Sequence, residues 1–130
     1  MKLLIVLAFI AVFAAVNAEI PKEDDEEHNK IIAECRQKFK MTDEEYTKLR
    51  HDEVAKPNED MQCFVNCFME SAGMIKDGKL QHDVATAIIS KKVGEEKAKT
   101  ILETCHGEQG STNCETAYKL HKCLYKNKAY

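Results

Sequence analysis

Tryptophan is absent from the 130 residues, proline occurs twice and glycine five times. Few breakers and no alternating apolar and polar run long enough for a strand leave little for a sheet. Frequent Ala, Glu, Lys, Leu and Met make the chain read as all-α. A basic excess is also missing: nineteen Lys and Arg face twenty-two Asp and Glu, which disfavours nucleic acid as a partner, since backbone binding rests on neutralised phosphates. Long apolar runs are absent except from Leu3 to Val16, which follows Lys2 and ends in the small-residue site Val16-Asn17-Ala18. Residues 1–18 are therefore expected to be a signal peptide, leaving a mature domain of about 112 residues, 19–130, with room for one core. Losing Lys2 with the leader brings the formal charge to −4, with histidines neutral. The remainder holds no bilayer-length segment and no lipid-anchor motif, so the product is expected to be free in extracellular fluid. Also missing are a G-x-S-x-G motif, a glycine-rich calcium loop and a histidine at phospholipase spacing from a cysteine. The expectation is no enzyme and no cofactor.

Six cysteines, Cys35, Cys63, Cys67, Cys105, Cys114 and Cys123, lie in the mature part, an even number that in an exported chain argues for three disulfides. Zinc is the competing reading for Cys63 and Cys67, which have three residues between them. The export signal and the lack of a matching second pair favour disulfides, and no metal is expected.

Six helices are expected. The first covers 23–38, with the acidic run Glu23 to Glu27 at its start and Ile31, Ile32, Cys35 and Phe39 at helical spacing. Thr42-Asp43-Glu44-Glu45 is a capping box opening a short second helix that ends near His51, with Met41 able to staple onto Tyr46. Asn58 caps a third, whose Cys63, Phe64, Val65, Cys67, Phe68 and Met69 form a surface too broad to solvate, so this helix should be central. After the turn Lys76-Asp77-Gly78-Lys79, Val84, Ala87, Ile88 and Ile89 are the expected inner face of a fourth. Gly94 separates it from a fifth, with Ala98, Ile101, Leu102 and Cys105 on one stripe. Thr112-Asn113-Cys114-Glu115, a second capping box, opens a sixth that runs to about Asn127.

Helix geometry removes some of the fifteen cysteine pairings. Cys63 and Cys67 share a face at about 5 to 6 Å between Cβ atoms, too far for a disulfide and suited to two different partners. Cys114 and Cys123 fall on opposite faces of one helix, about 13 Å apart along its axis. About ten connectivities remain. The gaps between successive cysteines are 27, 3, 37, 8 and 8 residues. This series, with Cys63-Phe64-Val65-Asn66-Cys67 and the glycine-bounded turn Gly73-Met74-Ile75-Lys76-Asp77-Gly78-Lys79-Leu80, resembles the insect odorant-binding proteins, the pheromone and general odorant-binding family. The resemblance covers the mature chain. It implies Cys35 with Cys67, Cys63 with Cys114, Cys105 with Cys123, and six disulfide-stapled helices around an apolar cavity.

The implied function is a secreted carrier of odorants, pheromones or long-chain fatty acids and their derivatives. A saposin-like lipid-interacting protein, whose cysteine spacing differs, and a structural secreted protein without a ligand are the alternatives. The implied cavity candidates are Phe64, Phe68, Met69 and Met74 from the third helix and its end, and Val84 and Ile88 from the fourth. Ile101 and Leu102 come from the fifth, and Tyr118, Leu124 and Tyr125 from the sixth. Helical spacing alone does not separate lining from core, although flexible methionines suit a pocket that accepts several ligands. At about 0.8 kcal/mol per buried methylene, a chain of about fourteen supplies roughly 11 kcal/mol before association costs, whereas micromolar binding needs about 8. A fatty acid, alcohol, ester or aldehyde fits that arithmetic. The resemblance also names a chemosensory receptor as a further partner and a monomer or weak homodimer as the working form.

After Glu115 every charged side chain other than histidine is a lysine: Lys119, Lys122, Lys126 and Lys128. Mostly they complement the helix dipole, though one of them, or a Tyr118 or Tyr125 hydroxyl, is a candidate for a ligand head group. Only seven residues follow Cys123, so no long C-terminal segment is expected in the pocket. Of His28, His51, His82, His106 and His121, the last is the candidate pH switch, one turn beyond Tyr118 on the same face.

Overall fold

Six α-helices dominate the computed structural model, which describes residues 26–130. The leader reading and Glu23, Asp24 and Asp25 lie outside those residues. Helix α1 is helical through 26–39 and lays buried Cys35 and half-buried Ile31, Ile32 and Phe39 on the core. In α2 (Asp43–Arg50) both halves of the capping box form: Thr42 Oγ1 accepts from the Glu45 amide at 3.1 Å, and the Thr42 amide donates to the Glu45 carboxylate at 3.3 Å. Helix α3 (Glu59–Ser71) starts on Asn58, whose side chain accepts from the Met61 amide at 2.8 Å.

α3 buries Met61, Phe64, Val65 and Met69 and packs along α6 (Asn113–Lys126), which makes these two helices the centre of the molecule. Cys35 bonds Cys67, Cys63 bonds Cys114, and Cys105 bonds Cys123, so neighbouring cysteines of α3 do reach two different helices. These pairs coincide with the ones the resemblance implies. The α5 helix (Glu95–Cys105) buries the expected stripe of Ala98, Ile101, Leu102 and Cys105.

Three local expectations need correction. The turn after α3 carries a two-residue antiparallel pairing, β1 (Ile75–Lys76) with β2 (Lys79–Leu80), Ile75 opposite Leu80. Asp77 and Gly78 both have positive φ, 52° and 76°, the conformation of a type I′ hairpin turn, which explains how a strand pair forms without an alternating run. In α4 (His82–Val93) the buried side chains are Ala85 and Ile89, while Val84 and Ile88 are each 39% exposed and Ala87 also faces solvent. Apolar residues occur on several sides of this helix, so their spacing does not select the face that packs. Finally, Thr112 caps α6 through the Glu115 amide, but the Glu115 carboxylate turns to the Ser111 hydroxyl at 2.6 Å and its amide at 3.3 Å, leaving only half a capping box.

Helix ends in this chain share a device. After α1, α2, α3 and α6, a residue in the left-handed region reverses the backbone: Lys40, Asp52, Gly73 and Lys128. In each case the next amide reaches back across the last turn: Met41 to the Arg36 carbonyl, Glu53 to Lys48, Met74 to Met69 and Ala129 to Leu124. This is the Schellman ending, and in three of the four the returning residue, Met41, Met74 or Ala129, is buried.

Candidate ligand-binding site

Seven of the eleven candidates share one buried cluster: Phe64, Met69, Met74, Ile101, Leu102, Tyr118 and Leu124. They converge because α3 lies on α6 and α5 packs against both α4 and α6. Phe68 is half-buried on the edge of the cluster, its ring edge-on to His28 at 5.2 Å between centroids. Tyr125 is half-buried, and Val84 and Ile88 lie on the exposed side of α4. Met41 and Met61 join Met69 and Met74 in the cluster, giving an interior rich in unbranched, adaptable side chains.

One end of this interior is polar. His121 is buried, with 8% exposure, and its ring is held on two sides. Nε2 lies 3.1 Å from the Leu49 carbonyl oxygen, which can only accept, so Nε2 carries the proton and Nδ1 accepts from the Tyr130 hydroxyl. The Tyr130 ring stacks on the imidazole at 5.6 Å and 20°. Tyr130 is itself 41% exposed, but its hydroxyl is inside, and burial pushes its ionisation far above the ordinary tyrosine value. Burial likewise holds the His121 imidazole below its usual range; the neighbouring Lys122 adds to this, while the Leu49 hydrogen bond and the charge of Asp52 act in the other direction. The Schellman turn at Lys128 brings Tyr130 to this place, so even a short C-terminal segment folds back onto α6, an outcome the count of residues after Cys123 did not suggest.

Beside this group the Tyr118 hydroxyl and Asp52 Oδ1 are buried without a hydrogen-bond partner. An unsatisfied buried polar group costs on the order of 1 to 3 kcal/mol, so two adjacent to an apolar cluster mark a place where a polar ligand atom would be stabilised. Burial, reinforced by Asp52, raises the Tyr118 ionisation above its ordinary value, which keeps the hydroxyl a donor at neutral pH. Of the four lysines near the chain end, Lys122 lies over the Tyr118 ring at 6.0 Å, and Lys119 donates to the Gln109 carbonyl at 3.1 Å.

A separate pocket of about 240 Å³ opens between the hairpin, the start of α4, the end of α5 and α6. Ile75, Leu80, Leu120, His82, His106 and Thr116 are among its walls, and it is lined by none of the eleven candidates. The sequence offered no periodic signal for it, because its walls come from a turn and from helix ends. No group of three metal-ligating side chains occurs among the described residues, and no described helix is long and apolar enough to cross a membrane.

Residues 17–127 match the PBP/GOBP family. The chain belongs to that family. General odorant-binding protein 56a of Drosophila melanogaster is 34% identical over 122 residues, which cover 92% of this chain and 88% of the fly protein. Among solved structures, the fatty acid binding protein OBP56a from the oral disk of the blowfly Phormia regina is 37% identical, with a TM-score of 0.69 and coverage of 82% of this chain and 92% of that one. Odorant Binding Protein 4 of the predator Chrysopa pallens is 29% identical at a TM-score of 0.71, covering 83% of this chain and 92% of its own.

Proposed function

We propose that this PBP/GOBP protein is a secreted carrier, not an enzyme, that takes up small hydrophobic molecules in extracellular fluid after removal of residues 1–18. Its ligand class is long-chain fatty acids and the corresponding alcohols, esters and aldehydes. The observation that carries this reading is the 37% identity, across most of both chains, with a blowfly protein named for fatty acid binding. The methionine-rich interior of α3, α5 and α6 supports it, since such side chains repack around different chains. In this reading the alkyl chain lies among Phe64, Met69, Met74, Ile101, Leu102 and Leu124, with Phe68 and Tyr125 at the border and Val84 and Ile88 at the outer rim. The unpartnered Tyr118 hydroxyl donates to the ligand's oxygen. A chemosensory receptor is the recipient of the delivered ligand, and a monomer or weak homodimer is the working form.

Displacement of a fluorescent probe by ligands of graded length tests the reading. Phe68→Ala and Leu102→Ala should weaken long chains more than short ones, and Tyr118→Phe should weaken an alcohol while sparing a hydrocarbon of equal length. Equal losses for short and long ligands in folded variants would contradict the placement, and no displacement by any of these ligands would contradict the carrier.

A further inference from the structure

His82 is the first residue of α4 and His106 caps the end of α5. These helices form a hairpin joined at the far end through Gly94, whose φ of 90° makes the reversal, so the two histidines stand together at the open end. Their ring centroids are 6.0 Å apart with an interplanar angle of 60°. Both residues are exposed, and both line the 240 Å³ pocket.

That spacing suits one ion held between two imidazoles. A metal about 2.0 to 2.1 Å from a ring nitrogen stands about 3.2 Å from the ring centre, so two ligating rings are separated by about 5.2 Å at a tetrahedral angle and about 6.4 Å when opposed. The observed separation lies between these limits. Imidazole suits Cu²⁺ and Zn²⁺, with Cu²⁺ bound more tightly by a given nitrogen site. Cys105, which also lines the pocket, is tied to Cys123 and offers no thiolate. Among the described residues no third metal-ligating side chain is grouped with the pair, so water would fill the remaining coordination positions through the open pocket.

We propose that His82 and His106 form a two-histidine site for a divalent transition-metal ion, which clasps the open end of the α4–α5 hairpin. The site is distinct from the apolar interior and does not depend on the carrier reading. Neither α4 nor its loop to α5 carries a disulfide, so the ion would supply that hairpin with a cross-link at the end opposite Gly94.

The test titrates untagged, disulfide-intact protein with Cu²⁺ and with Zn²⁺ by calorimetry, alongside His82→Gln and His106→Gln. Both substituted residues are at the surface, and circular dichroism checks that each variant is folded. The expected result is tighter binding of Cu²⁺ than of Zn²⁺, and at least a tenfold loss of affinity in each single variant. Hydrogen exchange should slow at the first turn of α4 when metal is added to the wild type, and not in the variants. Metal binding at wild-type affinity in either variant, binding absent from the wild type, or no protection at α4 would overturn the proposal.

Discussion

The pair α3 and α6 and the helix α4 are held by different means. Four of the six bonded cysteines lie on α3 and α6, which bury Phe64, Met69, Tyr118, Leu120 and Leu124 between their neighbours. Helix α4 has no cysteine, buries Ala85 and Ile89, and is joined to α5 by a glycine. The covalent frame therefore ties α3 and α6 to their neighbours, while α4 is retained without a cross-link, by packing along α5 with Ala85 and Ile89 buried. Segments with few buried side chains open at lower free energy than a cross-linked core, so α4 is expected to open more readily than α3 or α6.

The largest expected effect comes from cutting the frame. Replacing Cys63 and Cys114 together by Ala removes the bridge with the longest sequence separation, 51 residues, and should lower unfolding stability by about 4 kcal/mol on the chain-entropy account. Loss of Cys105–Cys123, with a separation of 18, should cost about 3 kcal/mol. Urea unfolding of the two double variants checks the order; equal or reversed losses would show that loop size is not what decides.

Next come single side chains on the two sides of the comparison. Leu124→Ala, at a fully buried position of α6, should cost about 2 to 5 kcal/mol, whereas Ile88→Ala on the exposed side of α4 should stay within about 0.5 kcal/mol. A comparable loss at Ile88 would mean that α4 packs by the face its sequence first suggested.

The smallest effect concerns pH. The His121 pKa is lower in the folded protein than in the unfolded chain, because burial disfavours the charged ring. Below about pH 6.5 the unfolded chain takes up a proton that the folded one refuses, so this contribution to stability is whole above that pH and is lost as pH falls through the folded-state pKa. Protonation at Nδ1 would also turn the Tyr130 hydroxyl there from donor to acceptor, with the His121 carbonyl 3.3 Å away to receive its proton. Asp52, Lys122, Tyr118, Tyr125 and Tyr130 all bear on the ring. Thermal unfolding at pH 7.5 and 5 should show a larger acid loss in the wild type than in His121→Gln, and acid should weaken binding of an uncharged alcohol more in the wild type. Parallel behaviour would remove His121 from the account of acid sensitivity.

The same contrast explains what could be read from the sequence. In α5 the positions Ala98, Ile101, Leu102 and Cys105 define a single stripe, and that stripe is buried. In α4, Val84, Ala85, Ala87, Ile88 and Ile89 supply apolar side chains around much of the helix, and only the packing against α5 chooses Ala85 and Ile89. Helix starts were legible because Thr42 and Asn58 act on the amide three residues on, through local chemistry. Helix ends were less so: Lys40, Asp52 and Lys128 take the left-handed conformation without being glycine, at a cost of about 1 to 2 kcal/mol each, and tertiary burial of the returning chain at Met41 and Ala129 is what holds two of them there. The setting of His121 was beyond local reading, since its partner Leu49 is 72 residues away. Helix spacing left about ten cysteine pairings open, and family resemblance, not spacing, selected the three that form.

The most direct test of the central claim is an NMR measurement of intermolecular NOEs between a ¹³C-labelled long-chain fatty acid and the methyl and aromatic-ring protons of the folded, disulfide-intact protein. The account predicts contacts from the alkyl chain to Met69, Ile101, Leu102 and Leu124, and from the carbons next to the head group to Tyr118. Contacts confined to Val84, Ile88 and the outer face of α4, or an absence of contacts at saturating ligand, would contradict it.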